Sequence, residues 1–222
     1  MTSSIVWRLV AKDLYFMRWI AVAALGTGAG ALAIMPQGRV PGYVGAVSLI
    51  CTLIVFLIAL VMGPVVQERK DKVLVFILSL PISTSQYLLA KVLSNGIAFG
   101  IPWLLLTVAT FVVADQTHIP NGVLPFWSVV LGYILFYYCA LLAVGLLADN
   151  TAWHAGAIIA GNVSVNFLIP FILALPSVKA NIEGPIAVWT PDIIAIIVIE
   201  LVLAAVVPSV ALFIRSRQPD FV

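Results

Sequence analysis

Charged side chains are scarce in this 222-residue chain: 9% of the residues are charged, whereas 63% are hydrophobic. Soluble domains carry about a quarter charged residues, so this chain has too few to cover the surface of a water-soluble globule. The scarcity argues against a soluble enzyme and against a disordered tail. The net charge of +2 provides no basic field, so we expect no nucleic-acid partner.

Cysteine, histidine and hydrolytic motifs are also sparse. Cys51 and Cys139 both lie in apolar runs, which argues against a disulfide framework and predicts two buried, apolar-like thiols. His118 and His154 are the two histidines of the sequence, and neither H-E-x-x-H nor G-x-S-x-G occurs. We therefore expect no catalytic residue and no metal site, and a membrane hydrolase is disfavoured.

Six apolar stretches are long enough to cross a bilayer. A hydrocarbon core about 30 Å thick needs about 20 residues of helix, and of the twenty charged residues only Glu200 falls inside a stretch. Transmembrane β-strands would be shorter and would alternate in polarity. The sequence predicts an all-α membrane protein, a single transmembrane domain over residues 1–222, with transmembrane helices at residues 19–35, 43–66, 92–114, 124–148, 152–176 and 193–214.

Lysine and arginine are distributed unevenly between the two sides of these spans. Cytoplasmic flanks carry the excess of basic residues. Two basic residues, Arg39 and Lys179, lie on one side, and the other nine lie on the side that holds both termini. We therefore expect both termini to be cytoplasmic.

Residues 1–18 mix apolar and basic side chains at helical spacing. Arg8 and Lys12 are one turn apart, while Leu9 and Phe16 lie a heptad apart on an apolar side. This pattern predicts an interfacial helix on the cytoplasmic leaflet, with its cations towards anionic lipid head groups. The alternative is a helical extension of the first span. A cleaved signal is disfavoured because the apolar run is long and Gly26 and Gly30 suit helix packing.

The connection at residues 67–91 is the most informative segment. A charge cluster at residues 68–72 precedes a short apolar stretch that ends at Pro81, and Ser83 to Gln86 form a capping box for a new helix that leads into the third span. The apolar stretch is too short to cross the bilayer. We expect a short cytoplasmic helix whose anchors, if it docks in a partner's groove, are Val73, Phe76, Ile77 and Leu80.

This segment resembles the first cytoplasmic loop of permease subunits of type-2 ATP-binding-cassette (ABC) exporters. In those subunits an E-R pair precedes a short helix that ends in L-P-[IV]-S, and an aromatic-x-x-x-K motif leads into the third span. The matching positions here are Glu68, Arg69, Leu80, Pro81, Ile82, Ser83, Tyr87 and Lys91.

The resemblance implies a coupling helix that docks on a separate cytoplasmic ABC ATPase subunit through residues 67–83, with Glu68, Arg69, Val73, Phe76, Ile77, Leu80 and Pro81 in the contact. It also implies a second permease chain, in a homodimer or a heterodimer, and a bacterial inner-membrane location. No G-x-x-x-x-G-K-[ST] loop occurs in the sequence. We therefore expect no cofactor in this chain, with ATP and Mg bound by the partner subunit.

Polar side chains within the spans are candidates for a translocation pathway. Glu200 lies in the last span, and His154, Asn162 and Asn166 recur at multiples of four in the fifth. These groups either line a path or form hydrogen bonds between helices. The proline-containing connection at residues 177–191 is expected to be a structured or partly re-entrant loop beside Trp189.

Two other functional classes remain open. An ion-coupled secondary transporter is disfavoured because such folds usually contain repeats and several intramembrane ionisable groups. A membrane scaffold or assembly protein would show neither transport nor stimulated ATPase activity. The sequence contains no motif that specifies a cargo.

Overall fold

The computed structural model describes residues 2–63, 84–148 and 150–217, and side chains from residue 6 onward in the first range and residue 86 onward in the second. The described part is helical and contains no strand. Six of its helices are long and apolar enough to cross a membrane, which confirms the predicted all-α fold. The helices are α1 (Thr2–Ile34), α2 (Arg39–Val61), α3 (Thr84–Gln116), α4 (Leu124–Leu147), α5 (Thr151–Ala174), α6 (Pro176–Asn181) and α7 (Pro191–Ser216).

The N-terminal segment corrects one prediction. No break separates residues 2–18 from the first span, because α1 is a single helix of 33 residues. At 1.5 Å per residue it is about 50 Å long, which exceeds the bilayer core of about 30 Å. A continuous helix cannot both lie on the leaflet and cross it. The alternative, a helical extension of the first span, describes the structure.

Contacts along the helices define which ones are parallel. Asp13 of α1 lies against Lys91 of α3, and Gly28 of α1 lies against Leu106 of α3. The two residues of each contact are separated by the same number of residues in the sequence, so α1 and α3 run parallel. Between α4 and α5, Tyr133 contacts Ser164 and Tyr137 contacts Ile158, so these two helices are antiparallel. We call the end at which α1, α3 and α5 begin the Lys91 end, and the opposite end the Gly122 end.

The spanning helices form two packing groups. In the first group α1 packs along both α2 and α3, and in the second α4 packs along both α5 and α7. Between the groups, the Phe99 ring stacks 4.0 Å from the Tyr138 ring and 5.6 Å from the Phe56 ring, centroid to centroid. Trp103 Nε1 also donates to the carbonyl of Leu131 at 3.1 Å. Aromatic stacking and this hydrogen bond therefore join the two groups.

The connection between α5 and α7 is a structured loop at the Gly122 end. It contains the short helix α6, and Ser177 Oγ donates to Asp192 Oδ2 at 2.5 Å across its base. Gly122 N donates to Gly184 O at 2.9 Å, and a Cβ on Gly122 would lie 1.9 Å from Asn181 O. Only glycine fits this close backbone approach.

The outward face of α1 carries aromatic and cationic side chains near the Lys91 end. Trp7, Tyr15, Phe16 and Trp19 are exposed. The Arg18 guanidinium carbon lies 3.8 Å from the centroid of the Tyr15 ring, one turn towards the Lys91 end. Such aromatic and basic pairs are typical of the membrane–water interface, and an arginine that bends back towards that end brings its charge to the head groups.

The cysteines correct a second prediction. Both are free thiols, but Cys51 is exposed on α2 and Cys139 is only partly buried on α4, so neither is fully buried. An apolar side chain in a membrane helix gains nothing by facing protein rather than lipid tails, which is why apolar flanks did not predict burial.

We expect that Gly161→Ala destabilises the fold. A Cβ at this position of α5 would lie 1.9 Å from the Tyr137 ring, which is fixed by a hydrogen bond from its hydroxyl to Ile158 O. Forcing a methyl group into a packed interface costs about 1–3 kcal/mol. The matched control is Gly156→Ala on the same helix, where nothing lies within 4 Å. Melting curves in detergent should show a lower midpoint for the first variant alone; equal midpoints would contradict this packing.

Candidate translocation surface and polar sites

The predicted docking segment, residues 67–83 with Glu68, Arg69, Val73, Phe76, Ile77, Leu80 and Pro81, lies outside the described residues. The helix expected after Pro81 is present: α3 begins at Thr84 and runs through Lys91 into the third span.

The predicted polar positions of α5 have different environments. His154 is buried near the Lys91 end, and its Nδ1 lies 3.0 Å from Asn150 O. Asn162 is partly buried, whereas Asn166 is exposed. Asn166 Nδ2 donates to the Asn162 carbonyl at 2.8 Å. The stripe thus turns from the protein interior at one end to the outer surface near the middle of the span.

Asn166 marks the outer face of α5 as unusual for a lipid-facing surface. It lies fifteen residues into α5, about 22 Å from the start of the helix, and the surrounding side chains Val163 and Phe167 are also exposed. The bond to Asn162 satisfies one donor of the Asn166 carboxamide, but against lipid tails its second donor and its carbonyl oxygen lose their hydration without compensation. This face therefore suits water or a protein partner better than lipid.

Glu200 lies in a different place, buried between α7 and α4. Its side chain faces Gly132, where an added Cβ would lie 2.6 Å from Glu200 Oε2. The residue is 6% exposed, and Oε2 has no hydrogen-bond partner within the described part of the chain. Glycine at position 132 therefore provides the space that admits this carboxyl group to the helix interface.

The structure does not gather the four predicted pathway residues into one site. Helices α5 and α7 both pack on α4, with α5 on one side through Tyr137 and α7 on another through Gly132. Glu200 is enclosed within the protein, whereas Asn166 is on its surface. Among the described residues no three His, Cys, Asp or Glu side chains lie close enough to hold a metal ion.

A buried ion pair between α1 and α3 was not predicted as a site. Lys91 Nζ lies 2.8 Å from Asp13 Oδ2, and the two residues are 3% and 2% exposed. Ser94 Oγ donates to the same carboxylate oxygen at 3.2 Å, and Asn95 Nδ2 donates to Lys91 O at 3.1 Å. Removing one member of a buried pair costs about 3–5 kcal/mol, because the other charge stays buried.

The sequence does contain a signal for this pair. Val10, Met17, Ala24 and Ala31 recur every seven residues and are all buried, and Asp13 lies on the same face, between the first two. A single carboxylate within an apolar heptad face indicates a buried partner. The predicted interfacial helix placed the cations of this segment at the lipid head groups and assigned no role to Asp13.

A multi-pass integral membrane protein is the class that these six spans define. A family model described as ABC-2 family transporter protein matches residues 33–213. That range covers most of the chain, so the protein belongs to the ABC-2 transporter family and is a permease-type membrane component of an ABC transporter, as the sequence resemblance implied. No curated protein and no solved structure matches it.

We expect that Gly132→Ala destabilises the protein only while Glu200 is present. The added methyl group would push the carboxyl group out of the space between α4 and α7. In a double-mutant cycle, Gly132→Ala should lower the melting midpoint, and the same change in a Glu200→Ala background should have a much smaller effect. Equal effects in both backgrounds would show that Glu200 does not occupy this space.

Proposed function

We propose that this chain is the membrane permease subunit of an ATP-driven exporter and forms the translocation pathway together with a second permease chain, either a copy of itself or a related one. The observation that carries the proposal is the match to the ABC-2 transporter family over residues 33–213. That range includes five of the six spans, apart from the last residues of α7, and only the end of α1. The polar positions of α5 are the pathway candidates within this assembly.

ATP is bound by another chain in this proposal. The sequence has no phosphate-binding G-x-x-x-x-G-K-[ST] loop, so the nucleotide and its Mg belong to a cytoplasmic ABC ATPase subunit. That subunit docks on residues 67–83, where apolar anchors with a rim of charge suit a groove. Closure of the ATPase on ATP pushes this segment and thereby α3.

The Lys91 end faces the cytoplasm, in a bacterial inner membrane. Nine of the eleven basic residues flank the spans on this side, which is the distribution of cytoplasmic flanks. The interfacial aromatic side chains of α1 and Arg18 lie on the same side and contact membrane lipid.

The outer face of α5 lines the pathway or meets the second permease chain. Its exposed carboxamide at Asn166 sits near mid-membrane, where lipid tails offer no hydrogen bond. A water-filled path or a neighbouring protein surface supplies the missing partners. Glu200, which is enclosed between α4 and α7, shapes the α4–α7 interface in this arrangement and does not contact the cargo directly.

A pull-down tests the docking segment. We expect the tagged chain, extracted from native membranes in mild detergent, to bring down a nucleotide-hydrolysing subunit. The double variant Glu68→Ala, Phe76→Ala should lose that subunit and its ATPase activity, because it removes a charge and an apolar anchor from the contact.

The control for this experiment is Arg39→Ala, Glu183→Ala, which removes the exposed ion pair at the Gly122 end and should retain the subunit. Retention of the ATPase by the docking variant would contradict the assigned contact. If the wild-type chain brings down no ATPase while other membrane complexes stay intact, the transporter assignment is wrong and proton-coupled transport should be tested.

Access of water to α5 gives a second test. In a background with Cys51→Ser and Cys139→Ser, we expect Asn166→Cys to react with a charged, water-soluble thiol reagent, since only thiols in contact with water form the reactive thiolate. The control is Leu104→Cys, an exposed position on α3 that faces lipid in this arrangement. Reaction at neither position, with or without ATP, would argue against a water-lined α5 face.

A further inference from the structure

The buried ion pair connects the two helices that extend furthest beyond the membrane. Helices α1 and α3 have 33 residues each and run parallel. Asp13 lies 21 residues from the far end of α1, about 32 Å along the axis, which is close to the thickness of the hydrocarbon core. The pair therefore sits at the cytoplasmic edge of the membrane, where both helices leave it.

The pair is enclosed by other groups of the same two helices. Asp13 accepts from Lys91 Nζ and Ser94 Oγ, and Lys12 Nζ lies 3.4 Å from its other carboxylate oxygen. The Lys91 ammonium also lies 5.7 Å from the Tyr87 ring centroid. Charge-assisted hydrogen bonds of this kind are stronger than neutral ones and have a defined geometry. At the membrane edge they oppose sliding of one helix along the other.

The position of Lys91 in the chain connects the pair with the docking segment. Lys91 is in the second turn of α3, which starts directly after residues 67–83. Any displacement of that segment reaches Lys91 through a short length of continuous helix. On the other side of the pair, α1 packs along α2 and α3 and belongs to the first packing group.

We propose that Asp13 and Lys91 form a joint through which α1 follows α3 when the ATPase moves the docking segment, so that the first packing group moves as one body against α4, α5 and α7. This inference rests on the proposed function. Asp13 and Lys91 are positioning residues in it, since neither touches nucleotide or cargo.

Spin-label distances in the assembled transporter test the joint. Labels are placed at exposed positions in a background lacking Cys51 and Cys139: Ala11 on α1 with Leu89 on α3, and Leu89 with Trp153 on α5. Labelled chain is diluted into unlabelled chain, so that distances within one copy are measured. Each pair is compared without nucleotide and after trapping with ATP and vanadate.

In the wild-type chain, the distance from Ala11 to Leu89 should stay narrow and unchanged on trapping, whereas the distance from Leu89 to Trp153 should shift. In Asp13→Leu, the first distance should broaden or shift on trapping. The control Arg8→Gln removes an exposed charge from the same helix and should behave as wild type.

The double variant Asp13→Leu, Lys91→Met separates a joint from a merely structural pair. It removes both charges of the Asp13–Lys91 pair, and apolar replacement of a buried pair is often tolerated, so its melting midpoint should lie closer to that of the wild type than the midpoint of Asp13→Leu does. Its α1–α3 distance should nevertheless shift on trapping. If the α1–α3 distance stays unchanged on trapping in both Leu variants, the joint is overturned, while ATPase activity of the wild-type complex still supports the proposed function. If the wild-type chain brings no ATPase activity with it, both proposals are overturned.

Discussion

Lipid tails cannot hydrogen-bond a peptide group, and every segment that crosses them must therefore satisfy its own backbone. This constraint explains why the described part of the chain is helical. Pro102, Pro170 and Pro208 lie within α3, α5 and α7; such prolines are tolerated where neighbouring helices, side chains or water supply partners for the backbone groups that they free. It also removes the usual driving force for burial, since an apolar side chain is as stable against lipid as against protein. Helix contacts here depend instead on close approach and on polar groups.

The packing contacts between the helices include both close approaches at glycine and polar interactions. Gly28 meets Leu106, Gly161 meets Tyr137 and Gly132 meets Glu200, each at a distance that a Cβ would not allow. Polar contacts join the same helices: Asp13 with Lys91 between α1 and α3, and the hydroxyls of Tyr133 and Ser164 between α4 and α5. The spanning helices thus form two groups with close internal contacts, and an aromatic stack joins the groups. This arrangement would allow one group to move relative to the other.

Much of the fold could be predicted from the sequence because the bilayer dictates it: length, apolarity and the distribution of charge located six spans. What failed depended on neighbours that composition does not reveal. Gly26 and Gly30 were expected to pack, yet open space surrounds both, while Gly28 makes the close contact. Asp13 was assigned no role from the sequence, yet it is buried, and the continuity of α1 past Arg18 was one of two alternatives. The sequence identified Glu200 and the polar positions of α5 as candidates. It did not predict that Glu200 is buried between helices whereas Asn166 is exposed on the outer surface.

The central claim is that this membrane chain is powered by ATP bound to a different chain. Photoaffinity labelling tests it directly: the complex is purified through a tag on this chain, reconstituted into lipid nanodiscs and irradiated with an azido-ATP analogue. We predict that a co-purified subunit is labelled, that excess ATP prevents this labelling, and that the 222-residue chain carries no label. Displaceable label on this chain, or none in the whole complex, would contradict it.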